Sequence, residues 1–92
     1  MLKTAVIGLG YWGPNLVRNL SKTKGVEVKY LCDLSQANLD NWKSFHGATL
    51  TTDYRDILSD PSIDAVAIAT PVSTHFRLAS DALNAGKHVL LE

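Results

Sequence analysis

Apolar residues in this chain fall into two alternating patterns: short unbroken runs, and stretches where they recur every three or four positions. The run at 3–8, KTAVIG, ends on a glycine and predicts a strand buried on both faces. Over 12–22, Leu16, Val17 and Leu20 share one helical face, while Asn15, Arg18, Asn19 and Lys22 lie elsewhere. Pro14 sits where a first turn tolerates it, and Lys22, Lys24 and Gly25 mark the stop. A second strand is predicted at 26–32, VEVKYLC. A helix then runs from about Ser35, whose hydroxyl suits an N-cap, through Leu39, Trp42 and Phe45 to Gly47. A brief strand at 48–51 leads to a short helix at 53–59, broken before Pro61.

The run at 64–70, DAVAIAT, alternates Ala65, Ala67 and Ala69 with Val66 and Ile68. Both faces are apolar, so helices should cover both, and the small face lets one approach closely. A helix from about Ser73 to Ala85 is predicted to turn Phe76, Ala79, Ala82 and Leu83 inward and to stop at Gly86. HVLLE then reads as a fifth strand. Strands separated by helices in this way predict an α/β fold. The sheet is parallel and doubly wound, in order 3-2-1-4-5, with right-handed crossovers. Its switch point lies between strands one and four, whose C-terminal ends carry the glycine-rich turn and ATPVSTH. A ligand is expected there.

With 92 residues and 46% of them hydrophobic, one small domain over 1–92 with a real core is expected. Nine basic side chains balance nine acidic ones, so no net field recruits nucleic acid or an anionic membrane. The longest apolar run falls far short of the roughly 20 residues of a spanning helix. A strand pattern starts almost at the first residue, so no signal peptide is expected. The single cysteine, Cys32, excludes an internal disulfide and suits a reducing cytoplasm.

Gly8, Gly10 and Gly13 form G-x-G-x-x-G. The pattern alone is weak, but here a strand precedes it, a helix follows, and an acid closes the next strand. Gly8 then permits the tight turn, Gly10 lets backbone approach a pyrophosphate, and Gly13 lets the helix pack on the sheet. The helix N-terminus supplies free N–H groups and a positive dipole end. Asp33, 20 positions after Gly13, is placed to accept hydrogen bonds from both ribose hydroxyls of the adenosine. It would repel a 2′-phosphate, and LSQANLDN offers no arginine or lysine to neutralise one, so the pattern favours NAD over NADP. A turn aspartate that caps the next helix is the structural alternative.

Together, AVIGLGYWGPNLVRN, DAVAIATPVSTH and AGKHVLLE resemble the N-terminal half of the Gfo/Idh/MocA oxidoreductases. This is the glucose–fructose oxidoreductase and inositol dehydrogenase family, and the resemblance covers essentially the whole chain. It implies a Rossmann domain in which Thr70 and Pro71 line the dinucleotide and His75 lies near the same cleft. Strand five in the family ends Glu-Lys-Pro, so Glu92 joins the cofactor-binding set. The family's lysine in that segment is catalytic; it and the C-terminal domain that holds the substrate are absent from these 92 residues. Family members oxidise or reduce hydroxyls of sugars, inositols or nucleotide sugars, and GYWGPN is similar to members acting in surface-polysaccharide pathways. The expectation is therefore a truncated, cofactor-binding half that does not catalyse alone.

Tyr11 and Trp12 sit between the glycines. Either their amides face the pyrophosphate with one ring on the nicotinamide side, or Trp12 starts the helix and packs in the core. Cys32, within an apolar strand, reads as an inert small hydrophobe. His46, His75 and His88 share no ligand spacing with each other or with Cys32. His75 reads as a cap on the first turn of its helix, and Lys3 and Lys87 as strand-edge charges without partners. Two rival functions use the same residues: an S-adenosylmethionine-binding domain, against which TPVSTH and the third glycine argue, and a non-enzymatic NAD-binding redox sensor. The outer edge of HVLLE, with Val89, Leu90 and Leu91, is expected to support a homodimer.

Overall fold

The structure, a computed structural model, describes residues 1–92. Its elements in chain order are β1 (Leu2–Ile7), α1 (Gly13–Lys22), β2 (Val26–Cys32), α2 (Gln36–Asp40), β3 (Thr49–Thr51), α3 (Arg55–Leu58), β4 (Ala65–Ile68), α4 (His75–Asn84) and β5 (His88–Leu91). A single 3₁₀ turn, Val72–Thr74, leads into α4. The strands form one parallel sheet in the order β3-β2-β1-β4-β5, as the alternation of patterns predicts.

Each face of the sheet carries its own core. On one, Val6, Leu31 and Ala67 pack with Val17 of α1 and Leu39 of α2. α1 packs over β1 and β2, and Leu16 and Leu20 flank Val17 at the margin. On the other, Ala5, Ile7, Val66 and Ile68 meet Ile57 of α3 with Leu78 and Ala82 of α4. No helix is long and apolar enough to cross a membrane.

β2 carries one residue more than β1 requires. Thr4 stands opposite Val28 but Ala5 stands opposite Tyr30, so Lys29 is extra at that point of the ladder. As a result Lys29 and Tyr30 both reach the turn before β4. The Lys29 ammonium donates to Ser62 Oγ at 2.8 Å, and the Tyr30 hydroxyl donates to Asp60 Oδ2 at 2.9 Å. Asp60 also accepts from Ser62 N–H and Oγ–H, at 2.9 and 2.7 Å. These Ser62 bonds, then Tyr30 and the Lys29 ammonium, hold its carboxyl well below the usual carboxylate range.

Three expectations are corrected here. The helix expected from Ser35 to Gly47 stops at Asp40, although Ser35 caps it as predicted, accepting from Asn38 N–H at 3.3 Å. Beyond Asp40 the chain closes in tighter turns, with Trp42 N–H on Leu39 O and Phe45 N–H on Trp42 O. That winding sets Trp42 and Phe45 edge to face, 5.8 Å apart, so both cover the core without an α-helix. In α4 the buried residues are Leu78 and Ala82, with Ala79 beside them, while Phe76 and Leu83 are exposed. Phe76 lies two residues before Leu78, about 200° round the helix. Lys87 is not an unpartnered edge charge: it is buried, and its ammonium donates to Asp60 O at 2.7 Å. Lys3, in the central strand β1, pairs through its backbone with Asp64.

Candidate functional site

A cleft of about 1400 Å³ opens at the C-terminal ends of the strands, around the predicted switch point. One wall is the turn from β1 into α1. Gly8 has φ +100°, and a Cβ there would stand 2.7 Å from the Ala69 carbonyl carbon. Gly8 thus allows both the sharp turn and the contact between the β1 and β4 ends. A Cβ on Gly13 would fall 1.8 Å from Gly8 O, so α1 starts directly against the turn. Gly10 differs from both: no atom lies within 4 Å of its would-be Cβ, and it is exposed on the cleft.

The N–H groups of Gly10, Tyr11, Trp12 and Gly13 reach no acceptor within the chain, whereas Gly8 N–H is taken by Cys32 O at 2.8 Å. Pro14 follows and has no N–H to satisfy. Unpaired donors at the start of a ten-residue helix, with its positive dipole end, are chemically suited to receive an anion. Leu9 N–H is different. It donates to Asp33 Oδ2 at 2.8 Å, which ties the turn to the end of β2.

Asp33 is half-buried in the cleft wall and already holds protein donors on both oxygens. Oδ1 accepts from Ser35 N–H at 2.8 Å, and Oδ2 accepts also from the Asn38 amide at 3.2 Å. The α2 cap belongs to Ser35, so Asp33 organises the loops before any ligand contact. A carboxylate has about four acceptor sites, and with three used Asp33 retains acceptor capacity toward the cleft. Next to it, Cys32 is buried; burial first, then the nearby Asp33, Asp53 and Asp56 charges, push its thiol up to about 12. It packs as a small hydrophobe beside Ala5, Ile7 and Val66.

The opposite wall is Ala69 to Thr74. Thr70 and Thr74 hydroxyls meet at 2.6 Å, and Thr74 Oγ–H reaches Pro71 O at 2.6 Å. Thr70 and Pro71 line the cleft, whereas His75 stands behind them. The His75 ring meets Thr70 O at 2.9 Å; a carbonyl only accepts, so Nε2 carries the proton. The ring thereby fixes the Thr70–Pro71 backbone. Glu92 lines the far end, its N–H on Ile68 O at 2.9 Å. Gly13 does not line the cleft but shapes it through Gly8.

Tyr11 and Trp12 are not in the core. They are 82% and 55% exposed and pack edge to face at the cleft mouth, with centroids 4.9 Å apart. Sequence reasoning did not single out the β3–α3 corner, which supplies Thr52, Asp53, Tyr54 and Arg55 to the lining. Only the parallel pairing of β2 with β3 brings these beside Asp33, whose N–H donates to Thr51 O at 3.2 Å. Tyr54 spans to α4, its hydroxyl donating to Asp81 at 2.7 Å, and Arg77 completes that side. No group of His, Cys, Asp or Glu is arranged to hold a metal ion.

Residues 2–92 match the model of the oxidoreductase family with an NAD-binding Rossmann fold, Gfo/Idh/MocA. The chain is 34% identical to the oxidoreductase YrbE of Bacillus subtilis, over 97% of its own length and 26% of that protein. It superposes with a TM-score of 0.89 and 31% identity on scyllo-inositol dehydrogenase from Lactobacillus casei with bound NAD(H) and scyllo-inositol, covering 99% of this chain and 27% of the other. GenD2 from gentamicin A biosynthesis, in complex with NAD, gives a TM-score of 0.92 at 29% identity, over 98% and 26%. The chain thus spans about a quarter of the length of these relatives.

Proposed function

The chain belongs to the Gfo/Idh/MocA family of oxidoreductases, as its NAD-binding Rossmann domain, and on that premise we propose that its cleft holds NAD(H) and serves the oxidation or reduction of a sugar, inositol or nucleotide-sugar hydroxyl. The observation that carries the reading is the run of free N–H groups from Gly10 to Gly13, beside an open Gly10 and a carboxylate at the end of β2. In the proposal the pyrophosphate takes those donors. Asp33 accepts from the adenosine ribose, while Thr70, Pro71 and Glu92 border the other end of the dinucleotide. Tyr11 and Trp12 contribute amides to the pyrophosphate and rings to the cleft mouth.

NAD(H), when bound, supplies hydride exchange with the carbon that bears the hydroxyl. The chain's own residues bind and orient it. His75 holds the Thr70 carbonyl in place, and Asp33 holds the glycine turn through Leu9, so both walls are set before binding. Calorimetric titration of the chain with NAD and with NADH tests the reading. Saturable one-to-one binding that Gly10→Ala weakens is expected, and no heat with either dinucleotide overturns it.

A further inference from the structure

The β3–α3 corner carries a solvent-exposed ion pair at the rim of the cleft. The Arg55 guanidinium forks onto Asp53, Nε to Oδ1 and Nη2 to Oδ2, each at 3.0 Å. Asp53 Oδ1 also accepts Arg55 N–H at 3.0 Å, so one carboxylate fixes both the backbone and the side chain of the arginine. The corner is anchored in turn: Asp53 N–H donates to Thr51 Oγ at 3.1 Å, and Thr51 O accepts the N–H of Asp33. Asp33 and Asp53 therefore follow adjacent parallel strands at the same C-terminal end of the sheet, and both line the cleft with Arg55.

We propose that Asp53 sets dinucleotide choice by holding Arg55, the cation of this corner, in a fork and so denying it to a 2′-phosphate on the adenosine ribose. The inference rests on the cofactor reading above and assigns a discriminating role to residues outside the glycine turn. A phosphomonoester dianion entering beside Asp33 meets a second carboxylate, and the only arginine of the corner is already engaged. Recruiting that arginine requires breaking two charge-assisted bonds. A ribose 2′-hydroxyl carries no such charge and is indifferent to the pair. Selectivity then arises from an unfavourable element aimed at the competitor as well as from Asp33.

The test compares NAD and NADP affinities by calorimetry for the wild-type chain and three variants. Asp53→Asn keeps an acceptor for the backbone N–H of Arg55 but frees its guanidinium. NADP affinity is expected to rise at least fivefold, with NAD affinity changed less than twofold. Arg55→Gln leaves Asp53 unneutralised and is expected to weaken NADP at least threefold, again sparing NAD. In the double variant the Asp53→Asn gain should disappear. An NADP-to-NAD ratio within twofold of wild type in both single variants overturns the inference, as does a gain that survives in the double variant. If the wild-type chain binds neither dinucleotide, the cofactor reading fails and takes this inference with it; NAD binding with an unmoved ratio sinks the inference alone.

Discussion

Leu9 and Asp33 are 24 residues apart in the chain and joined by one hydrogen bond, Leu9 N–H to Asp33 Oδ2 at 2.8 Å. Through it the glycine turn and the end of β2 become a single unit. The same carboxylate orders the entry to α2 through Ser35 N–H and the Asn38 amide.

Asp33→Ala is therefore expected to act twice. It removes the ribose hydrogen bond that the remaining acceptor site takes, about 1.5–3 kcal/mol, and weakens NAD at least tenfold. It also strips Leu9 and Ser35 N–H of their acceptor, at about 1–3 kcal/mol for each group left unsatisfied. Calorimetry reads the first effect and denaturant unfolding the second. Unchanged NAD affinity would remove Asp33 from the ribose site.

Gly13 and Gly10 of the turn should separate cleanly. Gly13→Ala drives a methyl into Gly8 O and is expected to destabilise the fold by about 3 kcal/mol or more. Gly10→Ala meets no protein atom, so its thermal midpoint should stay within a few degrees of wild type while NAD binding falls at least tenfold. A Gly10→Ala chain that binds NAD normally would place the pyrophosphate elsewhere.

Cys32 offers a pH signature. Its folded-state pKa, raised to about 12 by burial, exceeds the ordinary thiol value near 8.5–9, so the folded chain keeps a proton that the unfolded chain releases. Stability is unaffected below pH ~8 and declines between pH ~9 and ~12, a decline that Cys32→Ala should reduce. Tyr30 and Tyr54, raised chiefly by hydrogen bonds to Asp60 and Asp81, add in the same direction above their ordinary value. Mass spectrometry after iodoacetamide at pH 8 should find the native thiol unmodified; rapid labelling of folded chain contradicts the assignment.

The outer edge of β5 pairs with no strand of this chain, and Leu90 and Leu91 are about half exposed. A two-fold dimer through this edge is expected at high micromolar concentration, driven by about 25 cal/mol per Å² of apolar area. Light scattering should show a mass that rises with concentration and returns to one chain in Leu90→Lys/Leu91→Lys. A wild-type mass of one chain throughout would end the proposal.

The strands were legible because a buried parallel strand needs an unbroken apolar run, and the chain has few such runs. The strand order followed from their alternation with helices. The face of α4 was not legible, because Phe76 and Leu83 are as apolar as Leu78 and no residue marks where the helix phase begins. The His75 contact with Thr70 O, at the first residue of α4, accompanies that phase. Gly8, Gly10, Asp33, Thr70 and Pro71 could be read as one cleft because each lies in a loop just after the C-terminal end of a strand. Asp53 and Arg55 could not: locally they are a short-helix start, and only strand pairing brings them beside Asp33. Trp12 was open between core and cleft, since a large aromatic at a helix start suits either until its neighbours are known.

The extra residue in β2 makes residue counting an elastic ruler in this fold. Deleting Lys29 would leave Thr4 opposite Val28 and Ala5 opposite Tyr30, and every later side chain of the strand would face the side it faces now. Leu31 and Cys32 would keep their opposite cores, and Asp33 would still follow the end of the strand. The interval from Gly13 to Asp33 would be one shorter on paper with the cleft unaltered. Descendants of this chain can thus drift in motif length without drifting in geometry, and a search that insists on a fixed gap would pass them by.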